Sequence, residues 1–139
     1  MNAHFIVNID VPDLAAAQRF YCDGLGLSPG RSFGGGMLEL LGGPTPIYLL
    51  VKDAGSQAVP EGGAVRDYAR HWTPVHLDFV TEDIDAALAR ALAAGAVLER
   101  PIRDNVWGRI ALLADPFGNG FCLVQFTGRG YDEIADVAD

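Results

Sequence analysis

Cysteine is scarce in this chain of 139 residues: there are two, Cys22 and Cys122. Far apart and without a partner spacing, they argue against a disulfide framework and for a reduced, cytoplasmic setting. Long apolar runs are missing too, since none approaches the roughly 18 residues that cross a bilayer. The opening Met1-Asn2-Ala3-His4-Phe5 has no basic stretch followed by a long apolar one, so no secretory leader is expected. Positive charge is also short. Ten Lys and Arg face 18 Asp and Glu, giving a net charge of −8 and a pI near 4.6. Phosphate binding needs clustered Lys and Arg, so neither nucleic acid nor an anionic membrane is expected as a partner. An acidic balance favours cationic small molecules, and it serves equally to keep the chain soluble.

Apolar residues are plentiful, at 50% of the chain, which is enough for one compact domain with its own core. The clearest pattern begins at Val75-His76-Leu77-Asp78-Phe79-Val80. Val75, Leu77 and Phe79 fall on one face of a strand, His76 and Asp78 on the other. From Asp83 the period changes: Ile84, Ala87, Leu88, Ala91 and Leu92 form the stripe of an amphipathic helix. The strand buries one face under this helix and leaves His76 and Asp78 facing elsewhere.

Earlier in the chain, alternation from Phe5 to Ile9 predicts a first strand, and Pro12-Asp13-Leu14 opens a helix with Asp13 as N-cap. Ser28–Phe33, Met37–Leu41 and Pro46–Lys52 read as short strands between glycine-rich turns. Residues 53–73, with Gly55, Pro60, Gly62 and Gly63, show no period and read as a linker or lid. Strands are predicted at Val97–Ile102, Arg109–Ala114 and Phe121–Phe126, the last two joined by a tight turn at Asp115-Pro116-Phe117-Gly118-Asn119-Gly120. An acidic tail follows from 128 to 139.

The order repeats at an offset of 70 residues. Asp13-Leu14 returns as Asp83-Ile84, Ile6 as His76, Asn8 as Asp78, and Leu27 as Val97. The chain therefore reads as an α+β fold of two βαβββ modules, about 4–52 and about 74–127. Such modules are expected to pair into a curved mixed sheet around a cleft, helices outside, with Ile6, Asn8, His76 and Asp78 on the inner face.

This arrangement resembles the vicinal oxygen chelate superfamily: glyoxalase I, extradiol dioxygenases, fosfomycin-resistance enzymes and bleomycin-resistance proteins. The resemblance is carried by Val11-Pro12-Asp13-Leu14, Phe20-Tyr21, Leu25-Gly26-Leu27, His76-Leu77-Asp78-Phe79, Asp83-Ile84-Asp85, Ala94-Gly95-Ala96 and Asp115-Pro116-Phe117-Gly118-Asn119. It implies a domain whose metal ligands fall, position by position, on Ile6, Tyr48, His76 and Cys122. Of these, His76 alone keeps the ligand type of that family. A catalytic zinc site takes three protein donors, so the usual metal site is expected to be lost. His4, about 6 to 7 Å from the Ile6 position, does not restore it. The resemblance also implies a homodimer.

The expected ligand-binding residues are Asn8, Tyr48, His76, Asp78, Trp107, Arg109 and Cys122, with His76 as the candidate catalytic group. An inward carboxylate at Asp78 needs a partner, either a ligand or Arg109. Trp107 and Arg109 share a strand face by spacing, offering stacking and a forked anion contact. Each has a plainer reading, as packing or as a surface charge. Cys122 reads either as a nucleophile served by His76 or as an inert buried thiol. Phe33, Tyr68 and Trp72 could close over a ligand or simply pin the linker. The function expected is binding of a small organic molecule without a cofactor. The alternative is a lyase, isomerase or dioxygenase with one divalent metal ion at a shifted site using His76.

Overall fold

The computed structural model describes residues 4–137, and the chain divides into two compact units between Ala69 and Arg70. In the first unit β1 (Val7–Val11) leads into α1 (Leu14–Arg19), which continues as a π-helical turn over Phe20–Gly24. Three strands follow: β2 (Ser28–Phe33), β3 (Met37–Leu41) and β4 (Ile47–Val51). In the second unit β5 (Leu77–Val80) and α2 (Ile84–Ala93) precede β6 (Val97–Asn105), β7 (Gly108–Ala114) and β8 (Gly120–Phe126). A 3-10 turn at Gly130–Glu133 is the last element of the described chain.

The two sheets have the same topology, β1-β4-β3-β2 and β5-β8-β7-β6, with the first pair parallel and the rest antiparallel. This is the repeated βαβββ unit read from the 70-residue offset. Asp13 and Asp83 begin their helices alike, each carboxylate accepting the N–H three residues on at 3.1 Å.

Strand parity sorts the helix-facing core, and the middle strands β3 and β8 are buried on both faces. Val11, Leu38, Leu40, Ile47 and Leu49 form the core of the first unit with Ala17 and Phe20 of its helix, all buried. Ala111, Leu113, Phe121 and Leu123 do so in the second, with Ile84 and Ala91. Leu92, at the margin of the predicted stripe, is exposed. The expected turn at Asp115 is present and accounts for a buried carboxylate. Asp115 Oδ1 accepts from the N–H of Phe117 and Asn119 at 2.8 and 2.9 Å, and Oδ2 from the Asn119 side chain at 3.0 Å.

Two expectations are corrected. The strand predicted to end at Ile102 runs on to Asn105; it is an edge strand with register shifts, where Pro101 costs no ladder bond. The 53–73 segment is not one body. Its larger part folds onto the first unit: Gln57 bridges Val65, Arg66 pairs with Asp10 at 2.8 Å, and the Tyr68 hydroxyl donates to the Lys52 carbonyl at 2.7 Å. From Arg70 on, the chain belongs to the second unit. No helix among the described residues is long and apolar enough to cross a membrane.

Candidate functional site

On the face of each sheet away from its helix, polar side chains stand in register across the strands. In the second unit Asp78 stands opposite Cys122, and Cys122 opposite Leu112. His76, just ahead of β5, brings Nε2 within 3.1 Å of Asp78 Oδ1. The donor atoms of His76, Asp78 and Cys122 all lie within 4.8 Å of one another, with the imidazole and carboxylate exposed and the thiol buried. Strand alternation puts His76 and Asp78 side by side, and the parallel β5–β8 register brings Cys122 up to them.

Cys122 is not poised as a nucleophile. Burial, then the charge of Asp78, its hydrogen bond to Asp78 and the charge of Glu99 push the thiol up to about 12. The thiolate is the nucleophilic form, so at neutral pH this sulfur is a weak hydrogen-bond donor.

The row borders a depression of about 140 Å³. Leu112, Leu113 and Phe121 supply its apolar wall; Arg70, His76, Glu99 and Cys122 supply its polar groups, and Trp72 and Thr73 line it as well. Arg70 holds Glu99 by two bonds, Nε–Oε2 at 2.7 Å and Nη2–Oε1 at 2.9 Å. Glu99 owes its position to a β-bulge. Leu98 pairs with Leu113 and Arg100 with Leu112, which leaves Glu99 as the extra residue between them.

The first unit carries the related row Asn8, Tyr48, Glu39, in register across β1, β4 and β3. Here too β2 is bulged, so that Gly30 and Arg31 together face Glu39. Glu39 is buried, and its carboxylate is fully engaged. It accepts from the Arg31 N–H and Nε at 3.1 Å each, from Arg31 Nη2 at 2.7 Å and from the Tyr48 hydroxyl at 2.9 Å. Tyr48 is thus tied into the sheet, and the Arg31 guanidinium lies 5.5 Å from the Phe33 ring centre.

The structure brings together His76, Asp78 and Cys122 in one unit, and Asn8 and Tyr48 in the other. It does not bring Trp107 or Arg109 to either row. Arg109 pairs with Gln125 in the ladder, on the side facing α2, and its guanidinium bonds Asp85 at 2.7 Å and Asp104 at 2.9 Å. Asp78 is therefore partnered by His76, not by Arg109. Trp107 lies in the turn between β6 and β7, where strand parity does not apply, and packs 5.1 Å from Tyr131 and 6.2 Å from Phe126. Sequence reasoning missed Glu39, although a lone carboxylate between Leu38 and Leu40 was a signal. Glu99 and Arg70 had no signal, because a bulge and an irregular segment both hide from periodicity.

A family profile described as a glyoxalase-like domain matches residues 6–124. The anthracycline biosynthesis protein DnrV of Streptomyces peucetius is 34% identical over 134 residues, which cover 95% of this chain and 44% of that protein. The chain thus spans less than half the length of this relative. Among solved structures, a glyoxalase-related enzyme from Fulvimarina pelagi superposes with a TM-score of 0.70 at 18% identity, over 90% of this chain and 88% of that one. A fosfomycin resistance protein, FosX, from Listeria monocytogenes, complexed with Mn(II) and 1S,2S-dihydroxypropylphosphonic acid, does so at 0.72 and 20% identity, over 97% and 100%. The likeness to these structures is one of fold. With the family profile spanning both modules, the chain belongs to the glyoxalase-like family of the vicinal oxygen chelate superfamily.

Proposed function

We propose that this chain is a small-molecule-binding protein that takes its ligand in the depression of the second module. The observation that carries this reading is an imidazole and a thiol, His76 and Cys122, lining a partly apolar hollow, with the Asp78 carboxylate 3.1 Å from the imidazole. Ligand sites combine an apolar lining with a few placed polar groups in just this way. A volume of about 140 Å³ suits one ring or one head group rather than a whole drug-sized molecule. The name of the Streptomyces relative puts polycyclic aromatic polyketides first in the panel to be tried. We further propose a homodimer working in the cytoplasm, which light scattering and cell fractionation would test.

Thermal shift against that panel, followed by calorimetry on any hit, tests the reading, because a ligand stabilises by mass action. A saturable shift in wild type that is lost in His76→Ala supports it. A panel that shifts neither protein, or shifts both equally, refutes it.

A second reading is favoured by the same three donors. One nitrogen, one oxygen and one sulfur reach the count of a catalytic zinc site, and the thiol selects zinc over harder ions such as manganese. The residues thus fit a divalent ion held by His76, Asp78 and Cys122, contrary to the expectation of too few ligands; Asp78 supplies the missing one. An ion there would act as a Lewis acid toward a ligand oxygen, which would open lyase or isomerase chemistry; the dioxygenase alternative would need a redox-active metal, which zinc is not. Stoichiometric zinc retained after dialysis, and lost in His76→Ala, would establish it.

A further inference from the structure

We propose that Arg70–Thr73 is a strap latched over the His76–Cys122 depression, with the Arg70–Glu99 ion pair as its catch. The strap shares its place with the ligand reading above, but it stands on its own geometry and is testable without a ligand.

Arg70 is where the chain changes allegiance. Up to Tyr68 the segment bonds to the first unit, and at Arg70 it takes hold of the second. The hold is a fork: Nε and Nη2 each meet one oxygen of Glu99, and Nη1 donates to the His71 carbonyl, which fixes the strap backbone to the same guanidinium. The bulge at Glu99 makes this possible. As the residue without a ladder partner, it can turn its carboxylate toward the strap.

Gly120 completes the seat. A Cβ there would lie 2.8 Å from Arg70 Cζ and closer still to Nη2, so any other residue would displace the guanidinium. Its backbone is not in the left-handed region, so the need is for space rather than for conformational freedom. Gly120 and Glu99, on β8 and β6, thus form a seat and a hook for one arginine.

Trp72 is 80% exposed, and the Thr73 hydroxyl bonds within the segment, to the Val75 carbonyl at 3.0 Å. Since Arg70, Trp72 and Thr73 line the depression beside His76 and Cys122, releasing the catch removes one wall and widens access to the thiol. The side chains of the catch are 37% and 31% exposed. Such a pair is modest in strength and screened by salt, so it closes the strap without locking it.

Alkylation of Cys122 by iodoacetamide, followed in a Cys22→Ser background, tests the proposal on wild type, Arg70→Met, Glu99→Gln, the double variant and Gly120→Ala. Gly120→Ala displaces the guanidinium while leaving both charges in place. Alkylation is expected to quicken several-fold in every variant while hydrogen exchange of the β7 amides keeps its rate. The double variant should match the singles, and wild type in about 0.5 M salt should approach them. Alkylation unchanged in Glu99→Gln and Arg70→Met overturns the proposal. So does a double variant whose effect is the sum of the singles, or a quickening that comes with faster β7 exchange. Failure of the ligand panel leaves these outcomes untouched, so the two readings fail separately.

Discussion

The Tyr48 hydroxyl donates to Glu39 at 2.9 Å across the β3–β4 ladder, and the same carboxylate oxygen accepts from Arg31 at 2.7 Å. Hydrogen bonds from the Arg31 side chain and then its N–H, joined by Tyr48, hold the Glu39 carboxyl down to about 2 from an ordinary 4.5. A carboxylate with a depressed native pKa stabilises the fold above its unfolded value and loses that contribution as the pH falls through the native one. Glu39→Gln should therefore melt below wild type at pH 7, and the gap should close between about pH 4.5 and pH 2. Melting curves across that window decide it; a gap independent of pH would mean that the network adds nothing as a charge.

Gly30 is set against this network. A Cβ on it would lie 2.5 Å from Glu39 Oε1 and 3.1 Å from Leu41 Cδ1. Because Glu39 is pinned by four donors, it cannot swing aside without breaking a bond. Gly30→Ala should cost about 1–3 kcal/mol in urea unfolding, as other overpacked sites do. Combined with Glu39→Gln the cost should be less than the sum, since the obstacle is the held carboxylate.

The Cys122 thiol, at about 12, leads to an alkaline prediction. A thiol raised above its unfolded value near 9 stabilises the fold below that pH and loses the contribution as the pH rises toward 12. Cys122→Ala should flatten the fall in stability between pH 9 and 11. Added zinc, if bound at this site, should release a proton from the thiol near neutral pH, because a coordinating thiol is deprotonated; a pH-stat titration reads it directly.

The Asp115 turn should be among the most sensitive positions of the second unit. Asp115→Ala strips two backbone N–H groups and one amide of their acceptor in a site where the carboxylate is 1% exposed. A loss of about 3 kcal/mol is expected, in line with bonds to a charged acceptor. Asp83→Ala, which removes a cap from an exposed helix start, should cost about 1 kcal/mol. Reversed ranking in denaturant titrations would contradict the weight given to burial.

The fold was legible because both modules obey simple periods. The alternation around His76, the helix stripe from Ile84 and the offset of 70 residues pointed to the strands, the helix and the duplication. His76, Asp78 and Cys122 were legible as a group because parity and a shared register bring them together. Glu39 apart, which sits in the regular strand β3, what the sequence did not disclose lies where periodicity stops. Trp107 sits in a turn, so its spacing to Arg109 said nothing about a shared face, and Arg109 itself falls on the helix side of its strand. Glu99 is itself the extra residue of an edge strand, and Arg70 comes from a segment with no period at all. Ion pairing across such distances in sequence leaves no mark on local pattern.

The extra residues in β2 and β6 have a consequence for how a duplicated sheet can diverge. Both fall in outermost strands, and there one copy gained a guanidinium and the other a carboxylate. An insertion at a margin changes which group leans over the sheet while the central ladders stay in step. Deleting a single codon at position 99 should undo that departure, leaving the hairpin intact but Arg70 without its carboxylate.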